Sequence, residues 1–192
     1  MTDPSYDAIV LAGGASRRMG GATDKTAMNV AGRPMLDYVM DAVAGAGRVV
    51  VVGEPRTTAL PVQWCREEPA GGGPAAAIAA ALPLVTADIV VIVAGDQPLL
   101  SADVVAEVVG SVVTDGAVGL DGDGRPQWLL SAWRTSALRR TALAPGASLR
   151  DTLGSLAWAG VVVPTDVAAD CDTPDDVRRA EAALLSERSV RA

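Results

Sequence analysis

The feature that most constrains the fold of this chain is a regular alternation between short apolar runs and segments of helical periodicity. Residues 8–11, 48–52 and 88–94 form short, largely apolar runs, as expected of strands buried on both faces of a sheet. Between the first two, apolar residues recur at helical spacing over residues 34–44, which begin with a proline and are followed by a glycine. This alternation predicts an α/β fold with a mostly parallel central sheet, helices on both faces and right-handed crossovers.

The rest of the chain continues the alternation and fits one domain. The further predicted strands are 62–65, 116–120, 127–133 and 160–163. The stretch 71–74 is predicted to open a helix that runs to about residue 82, and the other predicted helices are 102–111, 134–143, 148–156 and 175–186. At 192 residues the chain is close to the size of one average domain. We therefore expect a single domain over residues 1–186 and a flexible tail over residues 187–192.

Composition excludes several classes of function. Lys and Arg total 16 against 23 Asp and Glu, and the resulting net charge of −7 argues against nucleic-acid binding, which needs a basic surface. The sequence contains no histidine, which excludes Ser-His-Asp triads and histidine zinc sites. The N-terminal residues lack a basic signal-peptide region, and apolar runs such as residues 89–94 are far shorter than the roughly 20 residues of a membrane span. We expect a cytoplasmic protein with no nucleic-acid partner and no membrane association.

The loop after the first predicted strand combines glycines with cations. Gly13 and Gly14 allow a phosphate to approach the backbone closely. Arg17, Arg18 and Lys25 place three cations within nine positions of an acidic chain, which indicates neutralisation of a triphosphate. The loop matches neither the Gly-Lys-Ser/Thr of a P-loop nor the G-x-G-x-x-G dinucleotide motif. The alternative is a solvated basic loop with turn glycines.

Carboxylates stand at two further places where a ligand is expected. Asp96 follows the clearest central strand, where a buried carboxylate needs a partner and a hard cation such as Mg²⁺ is a natural one. Asp170 and Asp172 lie two residues apart near the C-terminus, so in an extended chain both side chains point the same way. The alternatives are structural. Asp96 would then be a turn or N-cap residue, and Asp172 or Thr173 would cap the helix that Pro174 begins.

The loop motif resembles that of a known family. The motif L-A-G-G-x-S-x-R-M-G followed by D-K, with G-x-P-M-L shortly after it, is similar to that of the molybdenum cofactor guanylyltransferases. The segment G-D-x-P-L-L and the C-terminal D-x-D-T-P-D-D extend the resemblance along nearly the whole chain. One departure is a spacer before D-K that is one residue longer than the usual pattern. The resemblance implies a three-layer, Rossmann-like nucleotidyltransferase fold.

The resemblance also implies a reaction and its residues. It implies transfer of GMP from GTP to the phosphate of molybdopterin, with Mg²⁺ as cofactor and release of pyrophosphate. Arg18, Lys25 and Asp96 would be catalytic, and Asp96 and Asp172 would hold the metal, with Asp172 favoured over Asp170. The implied nucleotide-binding residues are Leu11, Ala12, Gly13, Gly14, Lys25, Gly53, Glu68 and Asp96. A transient contact with molybdoenzyme maturation proteins is a further expectation.

Several alternatives stay open at this level. A surface acidic pair explains Glu68 nearly as well as a nucleotide contact does. Trp128 stands near the implied acceptor side, where it would stack on a pterin or belong to the core. The alternative functions are a cytidylyltransferase or another nucleotidyltransferase for molybdopterin or another phosphorylated small molecule, and a nucleotide-binding protein without turnover.

Overall fold

The fold is built on one seven-stranded sheet. In the computed structural model, which describes residues 5–13, 25–167 and 169–191, the strand order is β5-β4-β1-β6-β8-β7-β9. A separate two-stranded hairpin is formed by β2 and β3. The strands are β1 (Tyr6–Leu11), β2 (Asn29–Val30), β3 (Arg33–Pro34), β4 (Val49–Val52), β5 (Gln63–Cys65), β6 (Ile89–Ala94), β7 (Gly116–Leu120), β8 (Pro126–Arg134) and β9 (Trp158–Val162).

Helices cover both faces of this sheet. They are α1 (Met35–Ala42), α2 (Gly73–Ala81), α3 (Ala102–Gly110), α4 (Thr135–Arg139), α5 (Leu149–Leu153) and α6 (Pro174–Arg191), with 3₁₀ turns at Lys25–Ala27 and Leu82–Leu84. No helix of the described part is both long enough and apolar enough to cross a membrane.

The sheet is mostly parallel, as predicted. Strands β5, β4, β1 and β6 pair in parallel, and β7 pairs in parallel with β9. Only β8 runs against its two neighbours, β6 and β7. The predicted α/β class and mostly parallel sheet are therefore confirmed, and the carboxyl ends of four adjacent strands lie at one edge.

Successive residues of each buried strand contribute to opposite apolar layers. In β1, Ala8 and Val10 pack with α1 and α3, whereas Ile9 packs with α2, α4 and α5 on the other face. This is the period-two alternation of a strand whose two sides are both covered. Helices on both faces give the predicted three layers.

One of the two apolar layers contains a buried tryptophan, in a chain that has no phenylalanine. Trp133 is fully buried, and its indole N–H donates to the Ser131 hydroxyl at 2.8 Å. It lies directly across from Gly116 in the antiparallel pair of β7 and β8. A Cβ on Gly116 would stand 2.2 Å from Cε3 of this indole, so the glycine makes room for the ring.

The element boundaries differ from the predicted ones in short or terminal segments. The β2–β3 hairpin has strands of two residues each, too short to show a period, and Pro34 ends it rather than opening α1. Helices α4 and α5 are shorter than predicted. Helix α6 runs on to Arg191 rather than ending at 186, because no Gly or Pro interrupts that stretch.

Candidate functional site

The carboxyl ends of the three central strands converge closely. Leu11, the last residue of β1, is in register with the last residues of both β4 and β6. A Cβ on Gly53 would lie 3.1 Å from the carbonyl carbon and oxygen of Ala12, and a Cβ on Gly95 would lie 3.2 Å from Ala12 Cα. Glycine at both positions therefore lets the loops after β4 and β6 approach the loop after β1.

Two adjoining clefts open over this edge of the sheet. The larger, of about 320 Å³, is lined by residues that include Leu11, Gly13, Gly73, Asp96 and Asp170. The smaller, of about 220 Å³, is lined by Gly13 and Gly53 with part of the loop after β5. Ligands bind in this position in open α/β sheets, so the clefts form the candidate site.

The structure brings most of the described predicted residues together here. Leu11, Gly13 and Asp96 line the larger cleft, and Gly53 lines the smaller one. Ala12 lies buried directly beneath them, and its N–H donates to the Val52 carbonyl at 2.9 Å. The structure therefore places these residues together at the strand ends, and their contact with a nucleotide stays a prediction.

The predicted cations lie largely beyond what the structure describes. Gly14 and Arg18 fall outside the described residues, so their predicted roles stay predictions. Lys25 is described through its backbone alone, where it begins the 3₁₀ turn Lys25–Ala27. Its role also stays a prediction.

Glu67, the residue next to Glu68, lines both clefts, and the nucleotide contact predicted for Glu68 stays a prediction. Glu68 is exposed and is absent from the lining of both clefts. Glu67 lines both, and its Oε1 accepts a hydrogen bond of 2.8 Å from the N–H of Gly71 in the turn before α2. This contact directs the Glu67 side chain toward the turn and leaves Glu68 toward solvent.

The C-terminal acidic segment lies against the loop that carries Asp96. The N–H of Cys171 donates to the Asp96 carbonyl at 3.1 Å, and Asp170 lines the larger cleft together with Asp96. Asp172 is exposed and is absent from that lining, while its N–H donates to Asp176 Oδ2 at 3.1 Å. The structure thus brings to the cleft the aspartate that sequence reasoning ranked second, and metal binding by Asp172 stays a prediction.

These carboxylates form a pair rather than a larger cluster. Within residues 5–13, 25–167 and 169–191, no three acidic or cysteine side chains gather closely enough to hold a metal. Mg²⁺ in phosphate-transfer sites uses one or two protein carboxylates and takes its other ligands from phosphates and water. The oxygen donors of Asp96 and Asp170 on one cleft therefore fit Mg²⁺.

Sequence reasoning missed Gln97, which joins the two acidic segments. Its side chain is almost fully buried, and its Nε2 donates to Asp170 Oδ1 at 3.1 Å. A glutamine between Asp96 and Pro98 carries no periodicity that would indicate burial, so only the fold reveals this contact.

Helix α6 begins with a reciprocal cap next to the site. The N–H of Thr173 donates to Asp176 Oδ2 at 2.7 Å, and the N–H of Asp176 donates to Thr173 Oγ1 at 3.3 Å. The hydroxyl of Thr173 also donates to Asp176 Oδ2, at 2.8 Å. The bonds from Thr173 hold the pKa of Asp176 below its ordinary value of 3.8. The cap fixes the helix start that follows Asp170 and Asp172.

Replacing Asp176 with alanine is expected to lower the free energy of unfolding by about 1 kcal/mol at pH 7. Because the pKa of Asp176 is lowered on folding, its contribution is present above pH 3.8 and is lost as pH falls through the folded value. Urea unfolding of both proteins at pH 7 and in acid measures this. The difference between them should shrink in acid, and a difference independent of pH would contradict the capping role.

The aromatic residue near the implied acceptor side is partly buried and packs against the core. The ring of Trp128 meets that of Trp158 edge to face, with centroids 5.6 Å apart. It packs against the apolar layer that also contains Trp133. Its ring is therefore held by packing, which favours the core interpretation over pterin stacking.

Comparison with known proteins gives consistent matches. The model of the MobA-like NTP transferase domain matches residues 8–163. The chain is 36% identical over 102 residues to a probable molybdenum cofactor guanylyltransferase of Synechococcus elongatus, covering 49% of this chain and 52% of that protein. It is 33% identical over 118 residues to the bifunctional protein GlmU of Alcanivorax borkumensis, covering 56% of this chain and 26% of that protein. The chain spans about half the length of the Synechococcus protein and about a quarter of the length of the GlmU protein.

Solved structures show the same fold. Molybdopterin-guanine dinucleotide biosynthesis protein A from Archaeoglobus fulgidus superposes with a TM-score of 0.71 at 23% identity, covering 94% of this chain and 99% of that one. The 2-C-methyl-D-erythritol 4-phosphate cytidylyltransferase of Thermus thermophilus superposes with a TM-score of 0.70 at 19% identity, covering 93% and 98%. At these identities the likeness concerns the fold, which agrees with the predicted nucleotidyltransferase architecture.

Proposed function

This chain belongs to the MobA-like NTP transferase family, and we propose that within this family it transfers GMP from GTP to the terminal phosphate of molybdopterin. The observation that carries the proposal is the larger cleft, because residues of the first loop, Asp96 and Asp170 line it together at the strand ends. The similarity to molybdenum cofactor guanylyltransferases supports the choice of nucleotide and acceptor.

The proposed reaction needs no covalent enzyme intermediate. An oxygen of the acceptor phosphate attacks the α-phosphorus of GTP in line. The new P–O bond forms as the bond to pyrophosphate breaks, and the electron pair leaves with pyrophosphate. A phosphate monoester has a second pKa near 6, so the acceptor is already ionised at neutral pH. A general base is unnecessary, in keeping with a sequence that has no histidine.

The residues of the cleft supply positioning and charge. Gly71 in the turn before α2 and Gly73 at its first residue have φ of 77° and 81°, a conformation that suits glycine. Both lie at a helix start, where anions are favoured. Arg18 and Lys25 would neutralise the phosphates, as the family resemblance implies. Mg²⁺ would be held by Asp96 with Asp170 or Asp172, and when bound it supplies positive charge against the phosphate oxygens.

Pyrophosphate release is expected with GTP and not with CTP, ATP or UTP, in the presence of Mg²⁺ and molybdopterin. A coupled phosphate assay on the purified chain, run with each nucleotide in turn, measures this. Release with CTP alone would keep the mechanism and overturn the proposed base.

A second candidate is nucleotidyl transfer to another phosphorylated small molecule. The similarity to a GlmU protein and the shared fold of a cytidylyltransferase favour it as the alternative. Release that requires an acceptor other than molybdopterin would establish it. Nucleotide binding without release, for every acceptor tried, would indicate a binding protein instead.

A further inference from the structure

A buried threonine lies where the turn that begins at Lys25 meets the strand ends. Thr26 is 6% exposed, and its hydroxyl donates to the Ala12 carbonyl at 3.4 Å. Its methyl carbon lies so near the loop after β6 that a Cβ on Gly95 would stand 3.2 Å from it. Thr26 therefore packs over the ends of both β1 and β6, directly after the lysine in sequence.

An arginine from a third strand end contacts the same hydroxyl. Arg56 lies in the loop after β4, is half-buried, and donates from Nη2 to Thr26 Oγ1. A guanidinium has donors and no acceptor, so the threonine hydroxyl accepts from Arg56 and keeps its own proton for Ala12. The direction of both bonds is fixed, and the bond from the charged donor is the stronger kind.

These contacts close a ring between two strands. The N–H of Ala12 donates to the Val52 carbonyl at 2.9 Å, and Arg56 follows Val52 in the next loop. The ends of β1 and β4 are thus joined once by backbone and once through Thr26. We call the contact between Arg56 and Thr26 the clasp.

We propose that Arg56 is a positioning residue that acts through Thr26 to hold the turn beginning at Lys25 against the ends of β1 and β4. This inference rests on the proposed function, because the turn matters only if it contacts the nucleotide phosphates. The same loop after β4 carries Gly53, which lines the smaller cleft. The clasp therefore connects this loop to the turn that begins at Lys25.

A double-mutant cycle on the whole chain separates this role from direct phosphate contact. The variants are Arg56→Met, Thr26→Val and the two combined. Valine keeps the shape of threonine and removes the hydroxyl. Each single change is expected to reduce kcat/KM by about 30-fold, mainly through kcat, since misplacing reacting groups by about 1 Å costs about 100-fold. The double variant is expected to lose no more than the worse single one.

Two controls match these changes. Arg48→Met removes the same charge from an arginine that donates to the Leu84 carbonyl at 3.1 Å, before β4 rather than after it, and it should change kcat/KM less than about twofold. Thr26→Ser keeps the hydroxyl and should retain most of the wild-type activity. If the valine variant fails to fold, the kinetics of Arg56→Met against those of Arg48→Met still test the proposal. Losses that multiply in the double variant would show that Arg56 acts independently of Thr26 and would overturn the proposal. An Arg56→Met enzyme with wild-type kinetics would overturn it as well.

Failure of the proposed function is recognisable separately. If the wild-type chain releases no pyrophosphate with any nucleotide, the proposed function fails. The double-mutant cycle is then repeated by measuring, with calorimetry, the affinity of each variant for the Mg²⁺ complex of GTP. A non-additive loss of affinity would support the clasp, and unchanged affinity in both single variants would overturn it. A wild-type chain that binds no nucleoside triphosphate would overturn both proposals.

Discussion

Replacing Asp96 with asparagine is expected to reduce the rate of pyrophosphate release by about a thousandfold, which corresponds to about 4 kcal/mol of transition-state stabilisation. Asp96 stands at the carboxyl end of β6 and lines the larger cleft. Asparagine keeps the shape of the side chain and removes its negative charge, so the site loses an anionic ligand for the expected Mg²⁺. Steady-state assays with GTP over a range of Mg²⁺ concentrations measure the loss.

The matched control is Asp88→Asn at the opposite end of the same strand. Asp88 is exposed, immediately precedes β6, and contributes its carbonyl to the Thr135 N–H at 2.8 Å. The control makes the same chemical change far from the cleft, so its rate should stay within about twofold of wild type. If the Asp96 variant also kept its rate within that range, a metal-binding role for Asp96 would be excluded.

Replacing Gly116 with alanine is expected to lower the free energy of unfolding by about 3 kcal/mol. The added Cβ would stand 2.2 Å from Trp133 Cε3, and the ring cannot move aside because it is fully buried and its N–H is bonded to Ser131. The strands must therefore separate or the ring must leave its rotamer. Urea unfolding followed by tryptophan fluorescence measures the change.

Gly110→Ala is the same substitution at another site, and there we expect the free energy of unfolding to rise. Gly110 ends α3, and a Cβ there would meet nothing within 4 Å. Alanine lowers the entropy of the unfolded chain and has the better helix propensity, so a gain of about 0.5 kcal/mol is expected. Equal effects from the two substitutions would show that the contact with Trp133 does not decide the stability at Gly116.

The architecture was predictable because it depends on local patterns. Continuous apolar runs indicated strands buried on both faces, and the sheet confirms them in β1, β4 and β6. The family indicated by the loop motif is confirmed by the match over residues 8–163. The hairpin of β2 and β3 escaped prediction because a two-residue strand has no detectable period.

The identity of individual cleft residues was less predictable, because adjacent carboxylates look alike in sequence. The choice between Glu67 and Glu68 depends on the hydrogen bond from Gly71 to Glu67. The choice between Asp170 and Asp172 depends on the hydrogen bond from Gln97 to Asp170. Arg56 carried no motif at all, since its partner lies 30 residues away in sequence. Such choices are made by turns and by long-range packing.

The position of β1 between β4 and β6 also determines how this chain can acquire its structure during synthesis. β1 is translated before both of its partners, so the backbone donors and acceptors that pair with β6 stay unpaired until residues up to Ala94 have been made. Long separation between pairing segments slows folding and leaves an exposed edge that invites aggregation. A nascent chain that stalls before β6 therefore has an incomplete sheet. The edge formed by the carboxyl ends of the parallel strands is complete only after β6 has inserted.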